Sequence, residues 1–142
     1  MRYLAIYAAE REVRLIEAAD FQKAKQLAGL GDVDVDFGTI DKHHSIVVYE
    51  YALYEDPDKA TYWRLGSKLY SGNAVLFAND GPDTVEMDWM PALVSKQIEF
   101  FEGGRAEIEA AIAAGRVERP EARINGELVW EWPQGNAWLG RT

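Results

Sequence analysis

Residues 32–36 read Asp-Val-Asp-Val-Asp, and a few positions later Asp41-Lys42-His43-His44 carries the only two histidines of the chain. Imidazoles act as general bases and metal ligands near neutral pH, and carboxylates beside them can supply oxygen ligands or orient a ring. Adjacent residues on a strand point to opposite faces, so only a loop would bring His43 and His44 to one ion together with Asp41 or Asp36. The plainer reading of the pair is a solvated turn before a strand. The Asp-x-Asp-x-Asp spacing superficially suits a calcium loop, but Val33 and Val35 favour a strand and no glutamate closes the loop. No metal and no cofactor are therefore expected.

Read as a strand, the same five residues place Asp32, Asp34 and Asp36 on one face, with neighbours about 6.6 Å apart. They form a row of fixed negative charge, and such a row favours a cationic partner. Glu86 and Asp88 are a second spaced carboxylate pair. A charged row has another common use, which is to keep an edge strand from pairing with other chains. Acid/base catalysis by two carboxyls would need them to face each other across a pocket, and spacing alone does not show that.

Other catalytic signatures are missing. Gly29-Leu30-Gly31 lacks the third glycine of a dinucleotide fingerprint and leads into the acidic strand, while Gly66-Ser67-Lys68 has no upstream glycine at phosphate-loop spacing. None of Ser45, Ser67, Ser71 and Ser95 stands in a Gly-x-Ser-x-Gly elbow. With no cysteine there are no disulfides, thiolate nucleophiles or cysteine-based metal sites, which suits a reducing cytoplasm. The 24 acidic residues against 15 basic ones leave a formal charge of -9, which disfavours direct binding to nucleic acid or to anionic membranes. Acidic residues appear by Glu10, too early for a signal-peptide core, and no apolar run approaches membrane-spanning length. The chain reads as cytoplasmic.

The elements that must position these residues follow from pattern. A length of 142 residues with 48% hydrophobic content suits one α+β domain, 1–142, with a largely antiparallel sheet. Apolar runs at 2–9 and 13–18 around Glu10-Arg11-Glu12 predict a hairpin. Asp20 stands as an N-cap for a helix over about 21–29, and the acidic strand follows. Residues 45–54 read as a long strand near the middle of the sheet, with Tyr49, Tyr51 and Leu53 on one core-facing side. Pro57 marks a loop, 62–69 reads as strand, and 72–78 pairs with 84–87 across Asn79-Asp80-Gly81-Pro82. Asp88 and Pro91 open a helix whose apolar stripe is Leu93, Val94, Ile98 and Phe101, and a second helix runs from Arg105 to Ala114 before Gly115. Asn125-Gly126 predicts a hairpin over 122–132, with Leu128, Trp130 and Trp132 alternating, and the tail after Pro133 reads as loosely ordered.

Five tryptophans and seven tyrosines add contact-forming area. Trp130 and Trp132 read as core or as a dimer seam, whereas Trp63, Trp89 and Trp138, in less regular segments, are the candidates for an exposed contact. Residues 62–78, Tyr-Trp-Arg-Leu-Gly-Ser-Lys-Leu-Tyr-Ser-Gly-Asn-Ala-Val-Leu-Phe-Ala, with Thr-Val-Glu-Met at 84–87, resemble segments of small uncharacterised bacteriophage and prophage proteins. The resemblance implies a protein that binds and blocks a host factor, inhibitors of CRISPR systems among them, and it transfers no functional residue.

The leading expectation is a non-enzymatic binding protein. Asp32, Asp34, Asp36, Glu86 and Asp88, with Trp63 and Trp89, would meet a basic protein surface that ordinarily holds nucleic acid. Carboxylates spaced along a strand can stand in for successive phosphates. Two alternatives are a small enzyme or ligand-binding domain with an aromatic pocket and His43 or His44 as the titrating group, and a homo-oligomer joined through the aromatic strand.

Overall fold

A computed structural model describes residues 1–54, 58–80, 83–85 and 97–134. Every strand pair among them is antiparallel, and helices are few, so the fold is α+β on mainly antiparallel sheet. The chain forms two compact units, Met1–Glu50 with Gly72–Lys96 and Tyr51–Ser71 with Gln97–Thr142. Their stretches interleave along the chain, which is why no single composition shift marks a boundary.

In the first unit β1 (Arg2–Tyr7) and β2 (Glu12–Glu17) make the expected opening hairpin, with Arg2 opposite Glu17 and Tyr7 opposite Glu12. Helix α1 (Phe21–Leu27) starts where the sequence places it, because Asp20 Oδ1 accepts the Lys23 N–H at 2.9 Å. Its end is a Schellman turn: Gly29 sits at φ 80°, Leu30 N–H donates to Lys25 O at 2.8 Å and Gly29 N–H to Gln26 O at 3.1 Å. Ala24 and Ala28, both fully buried, share a core with Tyr3, Ala5 and Val75 of the sheet. Removing the cap in Asp20→Ala should cost about 1 kcal/mol. A denaturation midpoint equal to that of the parent would show that the cap contributes nothing.

After α1 come β3 (Val35–Asp41) and β4 (His44–Tyr49), joined by a turn at Lys42-His43. β5 (Tyr62–Leu65) and β6 (Lys68–Ser71), of the second unit, intervene before β7 (Ala74–Asp80) and its partner β8 (Asp83–Val85). The sheet order is β2-β1-β7-β4-β3, with β8 also on β7. β7 takes the centre because Ala74, Val75 and Leu76 are apolar on both faces, and all three are completely buried, as are Leu4, Ala5 and Ile6 of β1.

Two expectations for this sheet need correction. The acidic strand begins at Val35, so Asp32 and Asp34 lie in the segment leading into it. Alternation decides which face a side chain takes, but the length of a ladder is decided by its partner. Here the last rung is Glu50 N–H to Asp34 O, at 2.9 Å. Beyond Glu50 the chain enters a 3₁₀ turn at Ala52–Tyr54, so Asp32 has no strand to pair with. For the same reason β4 stops at Tyr49 and lies beside the edge strand; Tyr51 and Leu53 do not continue its face.

In the second unit β5 lies between β6 and β9 (Ile98–Phe100); the single strand expected over 62–69 is instead two, 62–65 and 68–71, because the chain turns at Gly66, φ 61°. Ile98 was expected on a helix, but it begins β9, opposite Leu65; residues 86–96, where that helix was expected to start, lie outside the described residues. Helix α2 (Arg105–Ala113) ends as the sequence predicts, with Gly115 at φ 76° and Arg116 N–H donating to Ala111 O at 2.9 Å. β10 (Glu121–Ile124) and β11 (Glu127–Glu131) form the hairpin signalled by Asn125-Gly126, whose φ values of 52° and 82° are those of a two-residue hairpin turn.

The core of this unit gathers Tyr62, Leu69, Phe101, Ile108, Trp130 and Trp132. Trp130 and Trp132 are therefore core residues. The ladder passes from Ala122 opposite Trp130 to Arg123 opposite Leu128, so Val129 is an extra residue, a β-bulge. It breaks the expected alternation and leaves Leu128 40% exposed. The tail beyond residue 134 lies outside the described residues.

Candidate functional site

Among the described residues β3 is an edge strand of the first unit's sheet, β2 being the other end of the order, and it carries part of the sequence feature that stood out. Asp32, Asp34 and Asp36 are all exposed. Among the described residues no lysine or arginine of the chain forms an ion pair with any of them. On the face of β3 opposite Asp36, Phe37 is 60% exposed, and Val33, in the bend ahead of the strand, is 38% exposed. The Phe37 ring rests on Phe21 of α1, centroids 5.8 Å apart, and Phe21 in turn meets Phe77 at 5.6 Å. The edge thus presents carboxylates on one side and an aromatic ring on the other. Phe37 was not singled out as a site residue, although the acid/apolar alternation that runs through it was the signal.

Several other acidic side chains are paired. In the second unit Glu99 Oε1 accepts from Arg64 Nε at 2.8 Å and from the Arg116 guanidinium. Hydrogen bonding from Arg64, reinforced by both positive charges and opposed by burial, holds its carboxyl below the usual range. Glu109 accepts both nitrogens of Arg119, at 2.9 and 2.6 Å, and that hydrogen bonding lowers its pKa as well. Glu121 pairs with Arg123, and Glu12 with Arg14. These carboxylates are neutralised within the chain. Among the described residues, no ion pair neutralises Asp32, Asp34 or Asp36.

Trp63, expected at an exposed contact, is completely buried on the middle strand β5, with its ring stacked on Tyr70 at 4.7 Å. What looked like an irregular segment is a short hairpin, and its central strand has neighbours on both sides. Trp63 is therefore not a surface residue. Glu86, Asp88 and Trp89 lie outside the described residues.

The histidines do not converge as ligands. His43 is exposed in the β3–β4 turn, while His44 begins β4 with Nδ1 at 2.8 and 3.0 Å from the two Asp41 carboxylate oxygens. Asp41 also accepts the His43 N–H at 2.8 Å. Partial burial alone would raise the Asp41 pKa, but the hydrogen bonds from His43 and His44 and the His44 charge together hold it below the ordinary value. The arrangement staples a tight turn. Among the described residues no three His, Asp or Glu side chains group to hold a metal ion, and no helix is long and apolar enough to cross a membrane. Compared with known protein families, with curated proteins and with solved structures, the chain matches none.

Proposed function

We propose that this protein is a non-enzymatic binding protein whose acidic edge engages a basic protein surface of the kind that otherwise holds nucleic acid. The resemblance of residues 62–87 to phage proteins makes that partner a host factor, which the chain would block. The observation carrying this reading is the set of three exposed carboxylates, Asp32, Asp34 and Asp36, left without a cation of the chain's own among the described residues. Standing within five residues at the start of β3, they concentrate negative charge at that edge, and that charge attracts a basic groove by the electrostatics that hold phosphates there.

Affinity capture from a host lysate at low and high ionic strength, with mass spectrometry of the retained proteins, tests the proposal. A basic partner should be held at low salt and released at high salt. Replacing Asp32, Asp34 and Asp36 together by asparagine should weaken binding about ten- to hundredfold, since exposed ion pairs contribute up to about 1 kcal/mol each. A partner retained equally at both salt concentrations and by the asparagine variant would sink the reading.

A further inference from the structure

We propose that the open edge of β3 takes up an extended peptide as an added antiparallel strand, one in which basic and apolar side chains alternate. The inference rests on the acidic edge being a binding surface and specifies how its partner is held. The exposed Phe37 and the outer backbone groups of an edge strand, which no strand takes among the described residues, mark the place, and charge settles what fits it.

The Glu50 N–H to Asp34 O bond makes those two residues a hydrogen-bonded pair. Antiparallel ladders alternate such pairs with non-bonded ones. With Val35 opposite Tyr49 and Gly38 opposite Ile46, the polar backbone groups of Asp36 and Gly38 turn toward β4. Those of Val35, Phe37 and Thr39 therefore point outward, and among the described residues no strand takes them. An incoming strand can bond to that row and extend the sheet.

Side chains on such a strand would stand about 5 Å from their opposite numbers. Those beside Asp34 and Asp36 meet carboxylates with no ion pair among the described residues, so lysine or arginine fits there. Those beside Val35 and Phe37 meet apolar side chains. A second copy of β3 is a poorer occupant, because it would bring its own aspartates to the face already lined by aspartates. Edge protection alone needs charge; it does not need a phenyl ring that is 60% exposed on the same strand.

The test uses the full chain, isotope-labelled, and a short synthetic peptide alternating lysine and valine. A control peptide has the same composition with lysines and valines in separate blocks. In the antiparallel arrangement the valine opposite Phe37 directs its N–H to β3, whereas each lysine directs its N–H away. The alternating peptide should bind, slow amide exchange at Val35, Phe37 and Thr39, and lose binding when its valines are N-methylated but keep it when its lysines are. Phe37→Ser should weaken the peptide roughly tenfold, about 1.4 kcal/mol, without altering the fold.

Equal binding of the blocked peptide, with no change in exchange at those amides, would overturn strand addition and leave charge attraction standing. A chain that self-associates through β3 and ignores the peptide would overturn it as well. If neither peptide binds while aspartate-dependent capture from lysate succeeds, strand addition alone fails; if that capture fails too, the acidic-surface reading falls with it.

Discussion

Trp132→Ala is expected to destabilise the second unit by about 3–5 kcal/mol, enough to leave it largely unfolded. Trp132 is completely buried and shares its cluster with Tyr62, Phe101, Ile108 and Trp130. The indole meets the Tyr62 ring edge-on at 5.6 Å, and its Nε1–H donates to the Tyr62 hydroxyl at 2.9 Å. Alanine removes the apolar contact, opens a cavity and leaves the hydroxyl without this donor. Tyr62→Phe separates the contributions, since it keeps the ring and removes the hydroxyl that accepts the indole N–H; about 1–3 kcal/mol should be lost, the cost of an unpaired buried donor. Urea denaturation followed by far-ultraviolet circular dichroism reads both. Wild-type midpoints for Trp132→Ala would mean that the indole does not hold this core.

The same backbone supports a polar clamp around that ring. The Trp132 carbonyl accepts Arg119 Nη1 at 2.7 Å, and Arg119 is held on its other side by both oxygens of Glu109 on α2. Arg119 thus ties the chain after β11 to the helix. An apolar core alone would fix the ring's burial but not the direction in which the chain leaves it.

Local chemistry was legible in the sequence wherever neighbouring residues decide the outcome. Asp20 caps α1, Gly115 ends α2 and Asn125-Gly126 turns the last hairpin because each needs only its own φ, ψ or side-chain oxygen and the next few residues. Strand limits were less legible, since a ladder ends where its partner ends. The apolar run at 45–54 gives no hint that the chain departs at Glu50, and Ile98 becomes strand because Leu65, far back in the chain, lies opposite it. The Val129 bulge likewise depends on how β10 and β11 meet. For the candidate site, alternation put Asp36 and Phe37 on opposite faces of β3, whereas Asp32 and Asp34, expected on the same strand, precede it. The burial of Trp63 could not be read, because nothing local distinguishes a short central strand from an irregular surface segment.

Asn73 belongs to this last kind, and its replacement has the second largest expected effect. Its Oδ1 accepts the Ala8 N–H at 2.9 Å and its Nδ2 donates to Ala28 O at 2.9 Å, joining the end of β1 to the C-terminus of α1. These partners stand 65 and 45 residues away, so the letters around position 73, which read as part of a strand over 72–78, show no such link. Gly29 makes room for the amide: a Cβ there would come within 3.1 Å of Nδ2, and the φ of 80° already favours glycine. Asn73→Ala leaves one donor and one acceptor unpaired in a partly buried place, and should cost about 2–3 kcal/mol. Asn73→Asp keeps the bond to Ala8 but sets a carboxylate oxygen against the Ala28 carbonyl, so it should not rescue the loss. Amide exchange at Ala8 should accelerate in both variants, and an unchanged rate with an unchanged denaturation midpoint would show that the clasp is dispensable. Ala28 lies just ahead of the segment that carries Asp32 and Asp34 to the β3 edge. Loosening that anchor should therefore weaken peptide binding at β3 even at temperatures where the sheet remains folded, linking a buried amide to the acidic row it never touches.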